Sequence, residues 1–198
     1  MTKGFDKFKK KYEKFPIHRV SQTTVLTSDI YSFDLNDEID PKYIASLCLK
    51  YQIDKYKEKN STESVYAWRS DYLNVEGTEL TEFLELFSVV EKKVKPLWSA
   101  FVWSYCIHHF WYAIYNKGDY SKSHNHGLAE LACVYYAECP ENSSPLMIPN
   151  DNGDIKIQPK EGQLIVMPGR CFHYVPKSDH EGRRTIVAMN VYRKSLLP

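Results

Sequence analysis

Residues 118–130 read "GDYSKSHNHGLAE" and place two histidines one residue apart, with a glycine upstream and a glutamate downstream. In an extended strand, residues i and i+2 point to the same side, so His124 and His126 can both face one metal ion. The pair alone is weak evidence, because a chain with seven histidines would contain about 0.25 such pairs by chance. A metal site therefore requires a third ligand from elsewhere in the chain.

The best third ligand is His173, in "GQLIVMPGRCFHYV" (162–175). In this segment an apolar strand ends at a Pro-Gly pair, the chain turns, and one histidine opens the next strand. Imidazole groups suit Fe, Zn, Cu or Ni better than Mg or Ca. We therefore interpret His124, His126 and His173 as ligands of a transition-metal site with open coordination positions.

Four histidines remain, and we assign all of them structural roles. His108 and His109 are adjacent, so strand alternation predicts that they point to opposite faces and do not share a metal. His18 and His180 do not belong to a motif with metal-ligand spacing. The histidine pattern thus indicates one metal site.

Composition favours one domain over residues 1–198, with 43% apolar residues to form a core. The net charge of +1 produces no overall field toward nucleic acid or an anionic membrane, so we expect neither as a partner. The uncharged stretch 97–116 has the length of a membrane span, but its polar residues favour paired core strands. Five cysteines without C-x-x-C or a secretory signal indicate reduced thiols. We therefore expect a cytoplasmic location, in a bacterium or in the host cell of a virus.

Residues 1–97 are predicted to form a helix-rich support. A first helix begins with Asp40 as its cap and Pro41 in its first position. Thr78 can cap a second helix, which Pro96 ends or kinks. The opening lysine-rich segment is more consistent with the solvated face of a short terminal helix than with a nucleic-acid arm.

The strand signals are concentrated after residue 97. Residues 19–35 and 65–73 are also predicted as strands, but from residue 98 onward short aromatic and β-branched runs alternate with turn residues. Residues 139–154 are polar and rich in proline, as in a lid or rim over a site. We predict a mainly β protein with flanking helices, of the α+β class.

The spacing of the histidines, glycines and glutamate resembles the two cupin motifs, as Gly118-x5-His124-x-His126-x3-Glu130 and Gly162-x5-Pro168-x4-His173. That resemblance implies Glu130 as a fourth metal ligand. The chain departs from it in the second motif, where Lys177 replaces the closing asparagine.

The chain also resembles the 2-oxoglutarate/Fe(II)-dependent oxygenase superfamily, which has H-x-D/E, a distal histidine, and an arginine about ten residues later. Arg184 stands eleven residues after His173, and its guanidinium offers a carboxylate two parallel donors. His126 occupies the position of the usual carboxylate. One small branch, common in bacteria and their phages and often carrying H-x-H, is similar over successive blocks: "AWRSDYL" (67–73), "NKGDYSKSHNH" (116–126), "ACVYYAECP" (132–140), "PKEGQLIVMPGRCFHYV" (159–175) and "RRTIVAMNVY" (183–192).

This second resemblance implies a double-stranded β-helix (jelly-roll, cupin-like) core over residues 98–194, with Fe(II) on the three histidines. It also implies a hydroxylase that uses 2-oxoglutarate and O2 and releases succinate and CO2. Arg184 would bind the far carboxylate of 2-oxoglutarate, and Tyr115 and Asn190 are further candidates for its contacts. The substrate, a small molecule or a peptide side chain, would enter a mouth lined by residues 139–154.

Two alternatives remain at this point. One is a cupin-type metalloenzyme that does not use 2-oxoglutarate, and the other is a metal-binding small-molecule module without catalysis. Glu130 discriminates between families, since a cupin needs it on the metal, whereas in an oxygenase it points to the rim or binds substrate. Turnover that depends on 2-oxoglutarate would distinguish the oxygenase from the cupin-type enzyme. Ligand binding without product would support the metal-binding module.

Overall fold

A computed structural model describes the backbone of residues 17–22, 25–55, 64–97 and 104–194, and the side chains of 29–52, 64–97 and 104–194. The terminal helix predicted from the lysine-rich opening lies outside the described residues. Within the described ranges, no helix is long and apolar enough to cross a membrane.

The described residues form thirteen strands: β1 (Ile17–Gln22), β2 (Val25–Asp34), β3 (Val65–Tyr66), β4 (Trp68–Arg69), β5 (Leu73–Asn74), β6 (Tyr105–Tyr115), β7 (Tyr120–His124), β8 (Leu131–Glu138), β9 (Leu146–Ile148), β10 (Ile155–Ile157), β11 (Gln163–Pro168), β12 (His173–Val175) and β13 (Arg184–Arg193). A major sheet has the order β1-β2-β11-β8-β13-β6-β4, with β5 also on β6. A minor sheet has the order β10-β9-β12-β7-β3. All pairings are antiparallel, so the prediction of a mainly β protein with flanking helices is confirmed.

Two helices flank the sheets, α1 (Pro41–Lys55) and α2 (Leu84–Val94). The predicted start of α1 is confirmed, because Oδ1 of Asp40 accepts a hydrogen bond of 3.0 Å from the backbone N–H of Lys42. For α2 the predicted start was too early. Oγ1 of Thr78 does accept a bond from a backbone N–H two residues on, but a 3-10 turn at Thr81–Phe83 precedes the α-helix.

The two faces of the major sheet bury different layers. On β6, Phe110 and Tyr112 belong to a core shared with the two helices, whereas Ala113 and Tyr115 belong to a core shared with minor-sheet residues such as Val175. This division follows from strand alternation, which sends successive side chains to opposite faces. The molecule therefore has three layers, with helices outside the major sheet and the minor sheet on its other face.

Residues 65–73 were predicted as a single strand, and that prediction was wrong. The segment divides into β3, which pairs with β7 of the minor sheet, and β4 and β5, which pair with β6 of the major sheet. The chain thus crosses from one sheet to the other beside Ala67, which is fully buried. An alternating pattern indicates a strand but does not say in which sheet each part pairs. The crossing places Arg69 at the edge of the site described next.

Residues 139–154 were predicted as a lid or rim over a site, and they contain β9 of the minor sheet. Leu146 and Ile148 of this strand are buried in the core between the two sheets. Three residues are too short a run for periodicity to reveal a strand within a proline-rich segment. This part of the chain is therefore a wall of the sandwich.

Candidate metal centre

Two of the three candidate histidines are neighbours across a pair of strands. β7 ends at His124 and β12 begins at His173, and the antiparallel register places their Cα atoms opposite each other. Their ring centroids lie 4.4 Å apart. The strand pairing therefore brings together two histidines separated by almost fifty residues of sequence.

His126 lies two residues beyond the end of β7, in a turn rather than in the strand. Its backbone N–H donates a 2.7 Å hydrogen bond to the carbonyl oxygen of Gly169. Its ring centroid lies 5.8 Å from that of His124 and 5.1 Å from that of His173. Backbone contact with the turn before β12 thus brings this histidine to the other two.

The three rings converge, because one ring nitrogen from each lies within 4.8 Å of the others. Nδ1 of His124 donates to the carbonyl oxygen of Lys122 at 2.8 Å, and Nδ1 of His173 to that of Cys171 at 2.9 Å. A proton held on Nδ1 leaves the lone pair on Nε2, where a metal can bind it. These contacts orient both rings as ligands.

Asn190 performs the same task for His126, since its Oδ1 lies 2.5 Å from Nδ1 of that ring. The residue was singled out as a contact for 2-oxoglutarate, and that role stays a prediction. Its contact with His126 was not expected from sequence, because β13 brings it to the triad from 64 residues away. Asn190 therefore acts on one of the candidate ligands.

We expect Asn190→Ala to weaken metal binding by about 10- to 100-fold, since a histidine ligand that loses its outer hydrogen bond loses its tautomer and orientation. Asn190→Asp retains an acceptor at the same place and should bind metal within a few-fold of the wild type. Titration with Co(II), followed by its visible spectrum, measures both affinities. Unchanged affinity in Asn190→Ala would mean that the contact does not orient the ring.

All three rings are held neutral by their surroundings. Burial lowers the pKa of His126 to about 4, and it lowers the pKa of His124. Burial lowers the pKa of His173 well below its usual value, and the two neighbouring histidines lower it further. Neutral imidazoles keep their lone pairs available near pH 7, as metal binding requires.

A close backbone approach fixes the turn that carries His126. A Cβ atom at Gly169 would stand 1.9 Å from the carbonyl oxygen of Ala129 and 2.6 Å from its carbonyl carbon. The backbone N–H of Gly169 also donates to the carbonyl oxygen of Glu130 at 3.0 Å. Only glycine allows the two turns to meet at this distance.

We expect Gly169→Ala to lower the free energy of unfolding by about 2 kcal/mol and to weaken metal binding, because the backbone of the His126 turn must move away. Gly127→Asn is the matched control: this position has open space and a φ of 59°, which asparagine adopts. Denaturant unfolding and Co(II) titration of both variants check the expectation. Equal behaviour of the two variants would contradict it.

Glu130 does not join the triad. Its Oε1 lies 3.1 Å from Nε of Arg193, and the metal-capable cluster in the described part of the chain consists of His124, His126 and His173. The cupin resemblance implied Glu130 as a ligand, and the structure contradicts that ligand set. The ion pair forms because β13 passes beside this turn, where the Glu130 N–H donates to the carbonyl oxygen of Val191.

Arg184 and Tyr115 are partners across β13 and β6. The Arg184 side chain is 1% exposed, its guanidinium carbon lies 4.3 Å from the centre of the Tyr115 ring, and Nη1 donates to the carbonyl oxygen of Ser144 at 2.8 Å. Its Nε has no hydrogen-bond partner in the part of the chain that the structure describes. Burial raises the pKa of the Tyr115 phenol, which therefore stays protonated. A buried guanidinium with an unsatisfied N–H suits an incoming carboxylate.

His108 and His109 were predicted to point to opposite faces, and that prediction was wrong. Their ring centroids lie 4.1 Å apart, and both rings stand edge-on to Tyr192. The register of β13 passes from His109 directly to Ile107, so His108 sits in a β-bulge. A bulge breaks the alternation on which the prediction depended.

A pocket of about 410 Å³ opens beside the triad. Its described lining residues are Ser64, Val65, Arg69, Tyr72, His109, Trp111, His124, Asn125, His126, Asn190 and Tyr192. The predicted mouth at 139–154 supplies none of them; Ser144 of that segment contacts Arg184 instead. Sequence analysis identified neither Arg69 nor Trp111 as part of this pocket. The one available signal was an arginine inside the aromatic segment "AWRSDYL".

Together, fold and site define a class: a two-sheet antiparallel protein with a three-histidine cluster that could hold a metal. No protein-family model matches the sequence, and no curated protein matches it. Solved structures do match.

A prolyl-4-hydroxylase from Pseudomonas putida is similar with a TM-score of 0.63 and 13% identity, over 83% of this chain and 92% of that one. An oxidoreductase of the 2OG-Fe(II) oxygenase family from Burkholderia pseudomallei has a TM-score of 0.58 and 13% identity, over 76% of each chain. A Trichoplax adhaerens prolyl hydroxylase, in complex with a peptide fragment of hypoxia inducible factor, has a TM-score of 0.58 and 16% identity, over 81% and 86%. The chain therefore has the fold of 2-oxoglutarate/Fe(II) oxygenases, and the resemblance stated from sequence is confirmed at the level of the fold.

Proposed function

We propose that this protein is a non-haem Fe(II)- and 2-oxoglutarate-dependent dioxygenase, built on a double-stranded β-helix core, that hydroxylates its substrate. The observation that carries the proposal is the cluster of three neutral histidines, with ring nitrogens within 4.8 Å of one another, in a fold shared with such oxygenases. When bound, Fe(II) with 2-oxoglutarate would supply the oxidation of a substrate C–H bond by O2, with succinate and CO2 as co-products.

His124, His126 and His173 would hold the iron through Nε2. The donor set fits a transition metal, because three imidazole nitrogens converge and their Nδ1 atoms are occupied by acceptors. Three neutral ligands supply no negative charge of their own. An anionic co-substrate therefore complements this triad better than it would complement a site that already contains a carboxylate ligand.

Arg184 would bind the far carboxylate of 2-oxoglutarate. Its Nε is buried and unsatisfied, which costs free energy until an acceptor arrives. The hydrogen bond from Nη1 to Ser144 fixes the guanidinium plane in advance, so less side-chain entropy is lost on binding. The protonated Tyr115 hydroxyl lies beside this group and would be a second donor.

The substrate would enter the 410 Å³ pocket beside the triad. We propose a small molecule or a peptide side chain, and the peptide bound to the Trichoplax adhaerens neighbour supports the second kind. A single domain over residues 1–198 and a cytoplasmic location, bacterial or that of a viral host, remain predictions.

The test is an anaerobic titration. Metal-free protein receives one equivalent of Fe(II), and 2-oxoglutarate is then added while the visible spectrum is recorded. We expect a metal-to-ligand charge-transfer band that saturates at one 2-oxoglutarate per protein. Stoichiometric iron without a band would overturn the assignment.

A further inference from the structure

Arg69 is a buried cation in the wall of the pocket beside the triad. It lies on β4, where the chain has just crossed from the minor to the major sheet, and the residue is only 4% exposed. Its guanidinium carbon lies 4.3 Å from the ring centre of Tyr72 and 5.6 Å from that of Trp111. Among the described residues, its Nε has no hydrogen-bond partner. The 2-oxoglutarate chemistry assigned to Arg184 leaves this arginine without a function.

No acidic residue in the described lining of the pocket compensates the charge of Arg69. Removing a cation from water without a partner is costly, and aromatic faces compensate only part of that cost. The site therefore favours an incoming anion.

We propose that Arg69, held against Tyr72 and Trp111 beside the three histidines, binds a carboxylate of the substrate. This inference rests on the proposed function, because that function makes the occupant of the pocket the substrate. It names the substrate class as a carboxylate-bearing compound, either a free amino acid with its α-carboxylate or a peptide with an acidic side chain.

The chemistry of the guanidinium selects a carboxylate. Aromatic rings near its centre leave the N–H groups in its plane to make hydrogen bonds, and those groups match a planar carboxylate with two parallel bonds. A lysine ammonium has the charge but not this planar fork.

The position of Trp111 links the anchor to the reaction centre. The Trp111 ring lies 5.3 Å from the ring of His126, and the same Trp111 ring contacts the guanidinium of Arg69. A molecule held by Arg69 therefore lies along Trp111 next to the proposed metal. Arg69 orients the substrate so that a C–H bond near its carboxylate faces the centre, which is the positional contribution a protein makes to such a reaction.

The test measures binding of two matched probe pairs to the full chain by ligand-observed NMR. N-acetyl-L-alanine against N-acetyl-L-alaninamide reports an α-carboxylate, and the α-amides of N-acetyl-L-glutamate and N-acetyl-L-glutamine report a side-chain carboxylate. Each pair is measured on protein loaded anaerobically with Fe(II) and 2-oxoglutarate, and on metal-free protein. In the loaded form, 2-oxoglutarate occupies Arg184, so the probes cannot bind there. The measurement on the metal-free form does not depend on the proposed function.

We expect at least one acid to bind at least tenfold more tightly than its neutral partner. Arg69→Gln should abolish that preference, and Arg69→Lys should reduce it. Arg183→Gln is the matched control, since this arginine is exposed and paired with Glu138, and it should retain the preference. Circular dichroism and the Fe(II)/2-oxoglutarate band of each variant establish that it is folded.

No acid preference by any probe, or a preference that survives Arg69→Gln, overturns the inference. In metal-free protein, a preference lost in Arg184→Gln but kept in Arg69→Gln also overturns it, because the carboxylate then binds at Arg184. If the charge-transfer band is absent but Arg69→Gln still abolishes the preference, the proposed function fails and the carboxylate site remains.

Discussion

His173→Ala is expected to weaken Fe(II) binding at least about 100-fold and to abolish the 2-oxoglutarate charge-transfer band. His173 is the most buried member of the triad, at 4% exposed, and its partner across the strands is His124. Removing it leaves two imidazoles, and losing a ligand costs more than losing an outer hydrogen bond, which alone costs about 10- to 100-fold. The open coordination positions would then be filled by water.

The control for this variant is His180→Ala. His180 is also buried, at 6% exposed, but its Nδ1 lies beside Oγ of Ser178 and it is not part of the triad. Equilibrium dialysis with Fe(II) under anaerobic conditions measures both affinities. Iron binding in His173→Ala at the wild-type level would remove the triad from consideration as the metal site.

Arg184→Gln is expected to raise the concentration of 2-oxoglutarate that half-saturates the band by about 100-fold, while the affinity for Fe(II) is unchanged. Hydrogen bonds to charged groups contribute about 1.5–3 kcal/mol each, and two of them to one carboxylate account for a loss of this size. Glutamine retains a donor but lacks the charge and the fork. The proposed Fe(II) site lies at the histidines, so iron binding should not respond.

Arg183→Gln is the matched control, because it removes the same group one residue earlier. Arg183 is exposed and pairs with Glu138 at 3.3 Å, as expected for a chain neighbour that faces away from Arg184. The titration of both variants is followed by the visible band. If the two variants have equal effects, net charge rather than a specific contact governs the binding of 2-oxoglutarate.

The sequence determined those parts of the protein that depend on local rules. The cap at Asp40 and the proline that follows it predicted the start of α1, because capping involves atoms within one turn. Turn residues next to β-branched runs predicted the strand that ends at Pro168 and the histidine that begins the next one. The three histidines could be chosen because their residue type and spacing restrict the chemistry.

Only the tertiary structure decided how these pieces meet. The β-bulge at His108 depends on the register between β6 and β13, which no short window of sequence contains. The same holds for the acceptor that Asn190 gives His126, and for the ion pair that Glu130 forms with Arg193 outside the histidine triad. Arg69 reaches the pocket because one short segment pairs with two different sheets. Local sequence sets which residues can lie in strands and turns, whereas long-range packing selects which of their side chains become neighbours.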